Sequence, residues 1–438
     1  MPAYRKLQKK EQLSVLSISM GGIALTVITK DKPEQSLFED YVILHQEMYL
    51  EGCLAKDPSK EYRESDVELG RKEFVGEEPP LEIHGPYKIF ENGDMLPEVA
   101  ALVQAPCWQL KVYCAVSSEL SWGLAEDIAR RVAQKYRGVV YSPGMGVEWP
   151  ETKRVPRVEE RYFDLLRLEW FVHSSKAPAQ PAQVFLDTLK DFPEARPVRF
   201  GTFKPLQGQL EPEDDRPFLD AWRDCGGETL IFKSRSPCIG GCIEFQEDPT
   251  TITEHLLMSP KRAAKGVVQL RLQFEEQALT QEQREKVIGL FIKLAKRLGC
   301  FYARGYLNRS YYLYGGDLRS GPSEIRTPSA LIRYGWQGIP PYTVWLSWFG
   351  RPYKGLVMNS VKHLAPMIIE EGVFIRLGDK PLDMHELEAK FKFDLPKELL
   401  EGWAKRDSSK EAALEKKDMG IPPASRGWKA DLIPKLDD

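Results

Sequence analysis

Histidine is scarce in this chain: six among 438 residues, at positions 45, 84, 173, 255, 363 and 385. No two stand at the spacing that pairs metal ligands on one helix face, and no GxSxG elbow, HExxH helix, P-loop or GxGxxG turn occurs in a fitting context. Each histidine taken alone reads as a structural or surface group. A triad built from distant residues stays open, because triads are defined in space and not along the chain. Excess charge is lacking too. The 61 Lys and Arg residues against 64 Asp and Glu leave a net charge of −3, and a pI near 6.2 argues against a nucleic-acid binder, which would carry a basic face. No window reaches the uninterrupted apolar length of a membrane-crossing helix. The N-terminal stretch MPAYRKLQKKEQ lacks the apolar core of a secretion signal, so a cytoplasmic location is expected.

A cysteine framework is also missing. The seven cysteines (53, 107, 114, 225, 238, 242 and 300) are odd in number and irregular in spacing, which fits reduced thiols. Cys238 and Cys242 flank Gly240-Gly241 in SPCIGGCIEF. A zinc site would need a second ligand pair, and His255 has no companion at ligand spacing. The stretch also lacks the arginine that a cysteine-phosphatase loop would place a few residues on. A Gly-Gly hairpin with buried thiols is expected there, with no metal and no cofactor.

What is present is pattern. The composition is that of a soluble globular protein, 42% hydrophobic, 29% charged and 11% aromatic. A chain of this length exceeds one ordinary core, so two domains or one duplicated domain is expected. Leu13–Met20 and Ile23–Thr29 flank Gly21-Gly22 as the arms of a hairpin would. Residues 36–50 suit a short helix, and 51–80 is charged and Pro/Gly-punctuated like a loop. Thereafter a strand–helix–strand order recurs. Trp108, Leu110, Val112, Cys114 and Val116 alternate as a half-buried strand does. Leu124, Ile128, Val132 and Tyr136 form one i+4 row of a helix that Gly138 is placed to end, and Val139-Val140-Tyr141 starts a strand. Leu166, Leu168, Trp170 and Val172 open a second unit, followed by a helix through Phe185, Leu186 and Leu189 and a returning strand at Val198–Phe203. Val268, Leu270, Leu272 and Phe274 open a third. Its helix has a capping-box pattern at Thr280 and Gln283 and a stripe of Val287, Leu290, Phe291, Leu294 and Leu298. VWLSWFGRPY at 344–353 opens the fourth. Val344, Leu346 and Trp348 lie on one face and Trp345 and Phe349 on the other, so both faces are apolar and the strand is expected to be central and covered on both sides.

Four such units in two pairs predict an α+β fold of duplicated strand–helix–strand units, as ferredoxin-like halves, with mixed, partly antiparallel sheets covered by helices. The expected division is 1–100 (hairpin, short helix and charged loop), 101–265 (first α+β half with a connecting segment at 204–262), 266–395 (second half) and 396–438 (C-terminal helix and tail).

Two stretches carry candidate contact residues. Glu211-Pro212-Glu213-Asp214-Asp215 is a compact acidic run suited to a basic partner. Between 307 and 340, Tyr311, Tyr312, Tyr314, Tyr334 and Trp336 are interleaved with Arg309, Arg319, Arg326 and Arg333 on what reads as a long loop. Tyr, Trp and Arg are the residues enriched at interface hot spots. The partner-binding set is Glu211, Glu213, Asp214, Asp215, Arg319, Arg326, Arg333, Tyr334 and Trp336. The chain's acidic balance favours a protein partner over nucleic acid.

Trp345, Leu346, Phe349 and Gly350, followed beyond a helix and an apolar strand by Leu377, Gly378 and Pro381, resemble the C-terminal pattern of bacterial immunity proteins that guard against polymorphic or type VI secretion toxins. RPVRFGTF followed by FLDAW at 218–222 has a similar flavour. The resemblance spans residues 342–381 and implies a non-enzymatic protein that occludes a cognate toxin by stoichiometric binding. It carries no functional residue over to this chain. Two further readings stand beside it: a hydrolase or transferase with a site between the two halves, and a structural subunit of a larger complex.

Overall fold

The computed structural model describes residues 23–44, 48–51, 67–71, 81–114, 119–142, 146–149, 161–173, 181–202, 204–225, 229–246, 267–314 and 316–325, and most of 327–395. The fold is α+β with antiparallel sheets. The chain forms two compact units, one of Met1–Glu160 with Leu313–Leu318, the other of Arg161–Tyr312 with Arg319–Asp438.

The first unit contains β1 (Ile23–Thr29), α1 (Ser36–Leu44), β2 (Met48–Glu51), β3 (Val67–Arg71), β4 (Leu81–Ile89), α2 (Pro97–Ala100), β5 (Cys107–Cys114), α3 (Glu119–Lys135), β6 (Gly138–Ser142) and β7 (Gly146–Trp149). Its strands run β2-β3-β4-β5-β1-β6-β7. The sequence-predicted unit β5–α3–β6 is split, because β1 lies between its two strands and is antiparallel to both. The expected helical row is realised: Ile128, Val132 and Tyr136 pack with Ala125, Ala129 and Ala133 on Leu25, Val27, Leu110, Val112 and Val140. On the other face of β1, Ile28 joins Ile89, Met95, Val99, Val103, Cys107 and Val139 in a smaller core. The stretch 51–80, which reads as a loop, contributes β3. The first arm of the N-terminal hairpin, Leu13–Met20, lies outside the described residues.

The second unit contains β8 (Phe163–His173), α4 (Pro181–Leu189), β9 (Arg199–Gly201), β10 (Gly208–Gln209), α5 (Arg216–Asp224), β11 (Leu230–Lys233), β12 (Cys238–Gln246), β13 (Val267–Glu275), α6 (Gln281–Arg297), β14 (Tyr302–Tyr314), β15 (Asp317–Ile325), β16 (Leu331–Ile332), β17 (Gly335–Trp336), β18 (Leu346–Gly350), α7 (Arg351–Val361), β19 (Met367–Ile369), β20 (Gly372–Arg376) and α8 (Met384–Lys390). The main sheet runs β10-β9-β11-β12-β13-β8-β14-β18-β20-β19, and β15 pairs with β14. Here too the unit β13–α6–β14 is split, this time by β8, which is antiparallel to both strands. β8 therefore belongs physically between two strands of the following unit. The part of the first expected half that follows residue 160 shares one sheet with the second half, and the compact units divide at Glu160/Arg161 instead of at the 100/101 and 265/266 boundaries expected above. A cut at 265/266 would sever the ladder between β13 and β8 along its whole length.

One face of this sheet is apolar. Leu168, Trp170 and Val172 of β8, Leu270, Leu272 and Phe274 of β13, and Leu346 and Trp348 of β18 share a core with Phe185, Leu186 and Leu189 of α4 and Val287, Leu290, Phe291 and Leu294 of α6. The indole Trp170 Nε1 donates to Phe291 O at 3.0 Å and Trp348 Nε1 to Cys300 O at 3.1 Å, so the large rings leave no buried donor unpaired. The capping box at α6 is present, with Thr280 Oγ1 accepting from Gln283 N and Gln283 Oε1 accepting from Thr280 N. β18 is buried along its whole length between β14 and β20, as its two apolar faces require.

Two connecting stretches prove to be structured. The segment 204–262 supplies β10, α5, β11 and β12. Gly240-Gly241 lies inside β12, at a bulge and not at a hairpin turn. A Cβ on Gly241 would stand 1.9 Å from Arg271 O, so the glycine lets two strands approach. The loop expected after Tyr306 is a continuation of β14 followed by β15. The tail 396–438 lies outside the described residues.

Candidate functional site

The acidic run forms one tight turn ahead of α5, closed by a bridge between Glu211 and Asp214. Much of its charge is compensated from within. Arg216 donates to both carboxylate oxygens of Asp214 at 2.8 and 3.0 Å and holds that carboxyl below its usual range. Arg196 reaches Asp215 at 2.7 Å and donates to Glu211 O at 3.1 Å. Glu211 and Glu213 are exposed and remain the acidic groups that the turn presents outward. Sequence order alone makes this stretch look more acidic than its surface is.

The aromatic–arginine cluster is assembled in part, on a different frame from the one expected. β15 is largely exposed and, among the described residues, pairs with β14 along one edge. Arg319 and Gly321 are two apart on β15 and so share a face. The ring of Tyr162 lies over Gly321, where a Cβ would stand 2.4 Å from Tyr162 Cε1. Tyr162 remains 43% exposed and meets Tyr312 of β14 edge-on, with centroids 5.4 Å apart at 65°. Tyr311 is turned the other way: it is buried, and its hydroxyl donates to Glu324 Oε1 of β15 at 2.5 Å. The structure therefore brings Tyr312 and Arg319 onto one small surface with Tyr162, a residue that sequence reasoning does not single out. The acidic turn is on a separate element. Arg326, Arg333 and Tyr334 lie outside the described residues, and Trp336 is described only as part of the backbone of β17.

β14 is anchored behind this surface by charge. Arg309 donates to Asp383 Oδ2 at 2.5 Å, to Glu386 Oε2 at 2.6 Å and to Asp164 Oδ2 at 2.9 Å. The next residue, Ser310, has φ 60°, and the pairing of β14 with β8 shifts register between Asn308 and Tyr311. Asp383 and Glu386 also form the capping box of α8.

Further along the same strands lies a buried ion network. Glu169 of β8 is 1% exposed and Arg304 of β14 is fully buried. Arg304 donates from Nε at 2.8 Å to Glu169 Oε2, while Arg271 Nε of β13 and the Tyr306 hydroxyl donate to Oε1 at 3.1 and 3.0 Å. Burial pushes the Glu169 carboxyl up, but Arg304, Arg271 and Arg167 together bring it down to about 2. With both oxygens engaged by cations and a phenol, Glu169 stays ionised near neutrality and is committed to joining β8, β13 and β14. Cys242 stands 3.7 Å from Arg271, yet burial pushes its thiol up to about 12, so the arginine does not make it a nucleophile. Among the described residues no group of three or more His, Cys, Asp or Glu is arranged to hold a metal ion, and no helix is long and apolar enough to cross a membrane.

No protein-family model matches the chain. No curated protein matches it either. Among solved structures the chain is similar to a Pseudomonas aeruginosa type VI secretion system protein, PA0821, at 13% identity, with 61% of this chain and 94% of that chain covered and a TM-score of 0.37. At that score the likeness carries no functional argument.

Proposed function

We propose that this protein acts by stoichiometric association with a protein partner, as an immunity or antitoxin-type factor that occludes a cognate toxin. The supporting observation is the exposed strand β15, which carries Arg319 and has Tyr162 lying over Gly321 and against Tyr312 of β14. Among the described residues β15 pairs with β14 alone; an exposed strand can take on an added strand, and aromatic rings beside an arginine supply the anchor. Pro322 limits such pairing to the first half of β15, since it lacks an N–H. Glu211 and Glu213 form a second, acidic contact whose role is to speed and orient encounter with a basic surface. The pattern of Trp345, Leu346, Phe349, Gly350, Leu377, Gly378 and Pro381 favours immunity over other binding roles.

Affinity purification of the tagged full chain from its native cell tests this reading. It expects one partner in equimolar amount, encoded beside this gene and toxic when expressed alone. Arg319→Glu combined with Tyr162→Ala should weaken capture by tenfold or more, the loss of one hot-spot pair. Absence of any stoichiometric partner, or capture unaffected by both substitutions, overturns it.

A further inference from the structure

β15 has little to hold it in place. None of its residues is buried, and among the described residues it pairs with β14 alone. The ladder between β14 and β8 ends with Tyr311 opposite Phe163, so beyond that point β14 and β15 form a ribbon of their own. A two-stranded ribbon is marginal in water, and a segment with few buried contacts is among the first to open. Leu313, 50% exposed, adds nothing to a core. The order of this hairpin therefore has to come from its two ends.

The base is a narrow joint. Ser310 has φ 60°, in the left-handed region where a side chain is strained, and the ladder to β8 shifts register between Asn308 and Tyr311. Asn308 Oδ1 accepts from Thr327 N at 2.9 Å, which pins the chain leaving β15 to the strand entering the break. Arg309, with its three carboxylates, stands beside that pin.

The tip is held by other residues. Leu313–Leu318 belongs to the first compact unit. Tyr314 donates its hydroxyl to Glu98 Oε1 of α2 at 2.7 Å. Gly316, at φ +74°, lies so close to the turn at 92–94 that a Cβ on it would stand 3.2 Å from Asp94 Cα. Lys111 of β5 is half-buried; burial pushes its ammonium pKa down, and Asp317 at the start of β15 pulls it back up.

We propose that the β14–β15 hairpin is a hinged arm, pivoting at Asn308–Ser310 and latched at its tip by Glu98 and Lys111. Opening has to break the tip contacts as well as the Arg309 clamp, so each anchor lowers the open population by its own share. The surface made by Tyr162, Tyr312, Gly321 and Arg319 exists only while the arm is closed. Residues of α2 and β5, remote from it in sequence, therefore govern it. The arm stands on its own geometry, and only its effect on partner capture rests on the binding reading above.

Hydrogen–deuterium exchange of the full chain, followed by peptide mass spectrometry, tests this. Glu98→Ala and Lys111→Met should each accelerate amide exchange across 311–314 and 317–325 about tenfold, the share of one charge-assisted contact. Peptides of β8 and β13 should keep the wild-type rate, and peptides of α3 report that the first unit stays folded. Tyr314→Phe keeps the ring and removes only the donor, so it should match Glu98→Ala, and the two together should do no more than either alone. Exchange across 317–325 that neither Tyr314→Phe nor Lys111→Met changes overturns the proposal. So does acceleration confined to 313–318, because the tip would then fray without the arm moving as one body. These rates are read with no partner present, so the arm can fail or stand independently of the binding reading.

Discussion

Replacing Glu169 by glutamine keeps the shape of the side chain and removes its charge, and the second unit should lose several kcal/mol of stability. Arg304 has no access to solvent, so without the carboxylate its guanidinium is a buried, uncompensated charge. Breaking a buried pair in this way costs about 3–5 kcal/mol. A second route reaches a similar figure. The carboxyl is held at about 2, against 4.5 ordinarily, and that difference is worth about 3 kcal/mol. The sign follows from the depressed value: the stabilisation is complete above about pH 4.5 and is lost as the pH falls through 2. Urea unfolding of wild type and Glu169→Gln, followed by tryptophan fluorescence, should show a deficit of about 3 kcal/mol at pH 7 that shrinks to about half at pH 3. Urea is preferable to guanidinium, whose ions screen charge. The double change Glu169→Leu with Arg304→Met should recover part of the deficit, because the fully buried guanidinium is gone and Arg271 keeps Glu244 at 3.6 Å, while the Tyr306 hydroxyl still loses its acceptor. A deficit below about 1 kcal/mol, or one that does not change between the two pH values, would refute the assignment of Glu169 as an ionised register lock.

Three further outcomes are expected. Thr280→Ala removes the acceptor for Gln283 N and should cost about 1 kcal/mol in thermal or urea unfolding. Gly241→Ala puts a Cβ 1.9 Å from Arg271 O and should cost about 3 kcal/mol or prevent accumulation of soluble protein, where the same change at exposed Gly355 should cost little. Cys107, Cys225, Cys238, Cys242 and Cys300 are buried, and burial pushes Cys107 up to about 11 and Cys238 and Cys242 to about 12. In a maleimide-labelling time course read by peptide mass spectrometry at pH 7, these five should react only after unfolding.

Periodicity is what the chain displays openly. α6 is readable in full, from its capping box to its buried stripe, because each of those features is set by residues three or four apart. β18 is readable too, since apolar residues on both faces leave it no place but the middle of a sheet. Strand order is not readable in this way. Nothing local in Leu166, Leu168, Trp170 and Val172 says that β8 will intercalate between β13 and β14, because that choice is made by partners more than 90 residues away, as in Leu168 opposite Leu272. The short strands β3 and β11 are hidden for a different reason: four or five residues cannot display a period above the noise of charge and glycine. Glu169 and Arg304 alternate with apolar neighbours and so read as the wet side of half-buried strands. The available hint is that Phe171, Tyr302 and Tyr306 share that side, and a face with so many rings is seldom left in water. Of the contact surface, the aromatic–arginine composition was visible, but its assembly through Tyr162 and the vacant Cβ of Gly321 was not.

Arg309 joins these levels. β14 carries Arg304 in the half that pairs with β8 and Tyr312 in the half that pairs with β15, and between them the ladder to β8 shifts register. At such a break the backbone has fewer partners to hold it, and the strand could swing independently of the sheet. Three carboxylates on Arg309 from Asp164, Asp383 and Glu386 close that freedom by tying the strand to the start of β8 and to the cap of α8. Its side chain is 31% exposed, so solvent discounts each pair and the clamp is worth about 1–2 kcal/mol in all. That is too little to unfold the unit and enough to multiply local opening about tenfold. Arg309→Ala should therefore leave the global unfolding midpoint within a few degrees of wild type while amide exchange at 311–314 and 317–325 accelerates about tenfold. If the β15 surface is the contact, partner capture should weaken in parallel. Unchanged exchange over those residues would mean that β15 is held by its own pairing with β14, and that the clamp serves α8 alone.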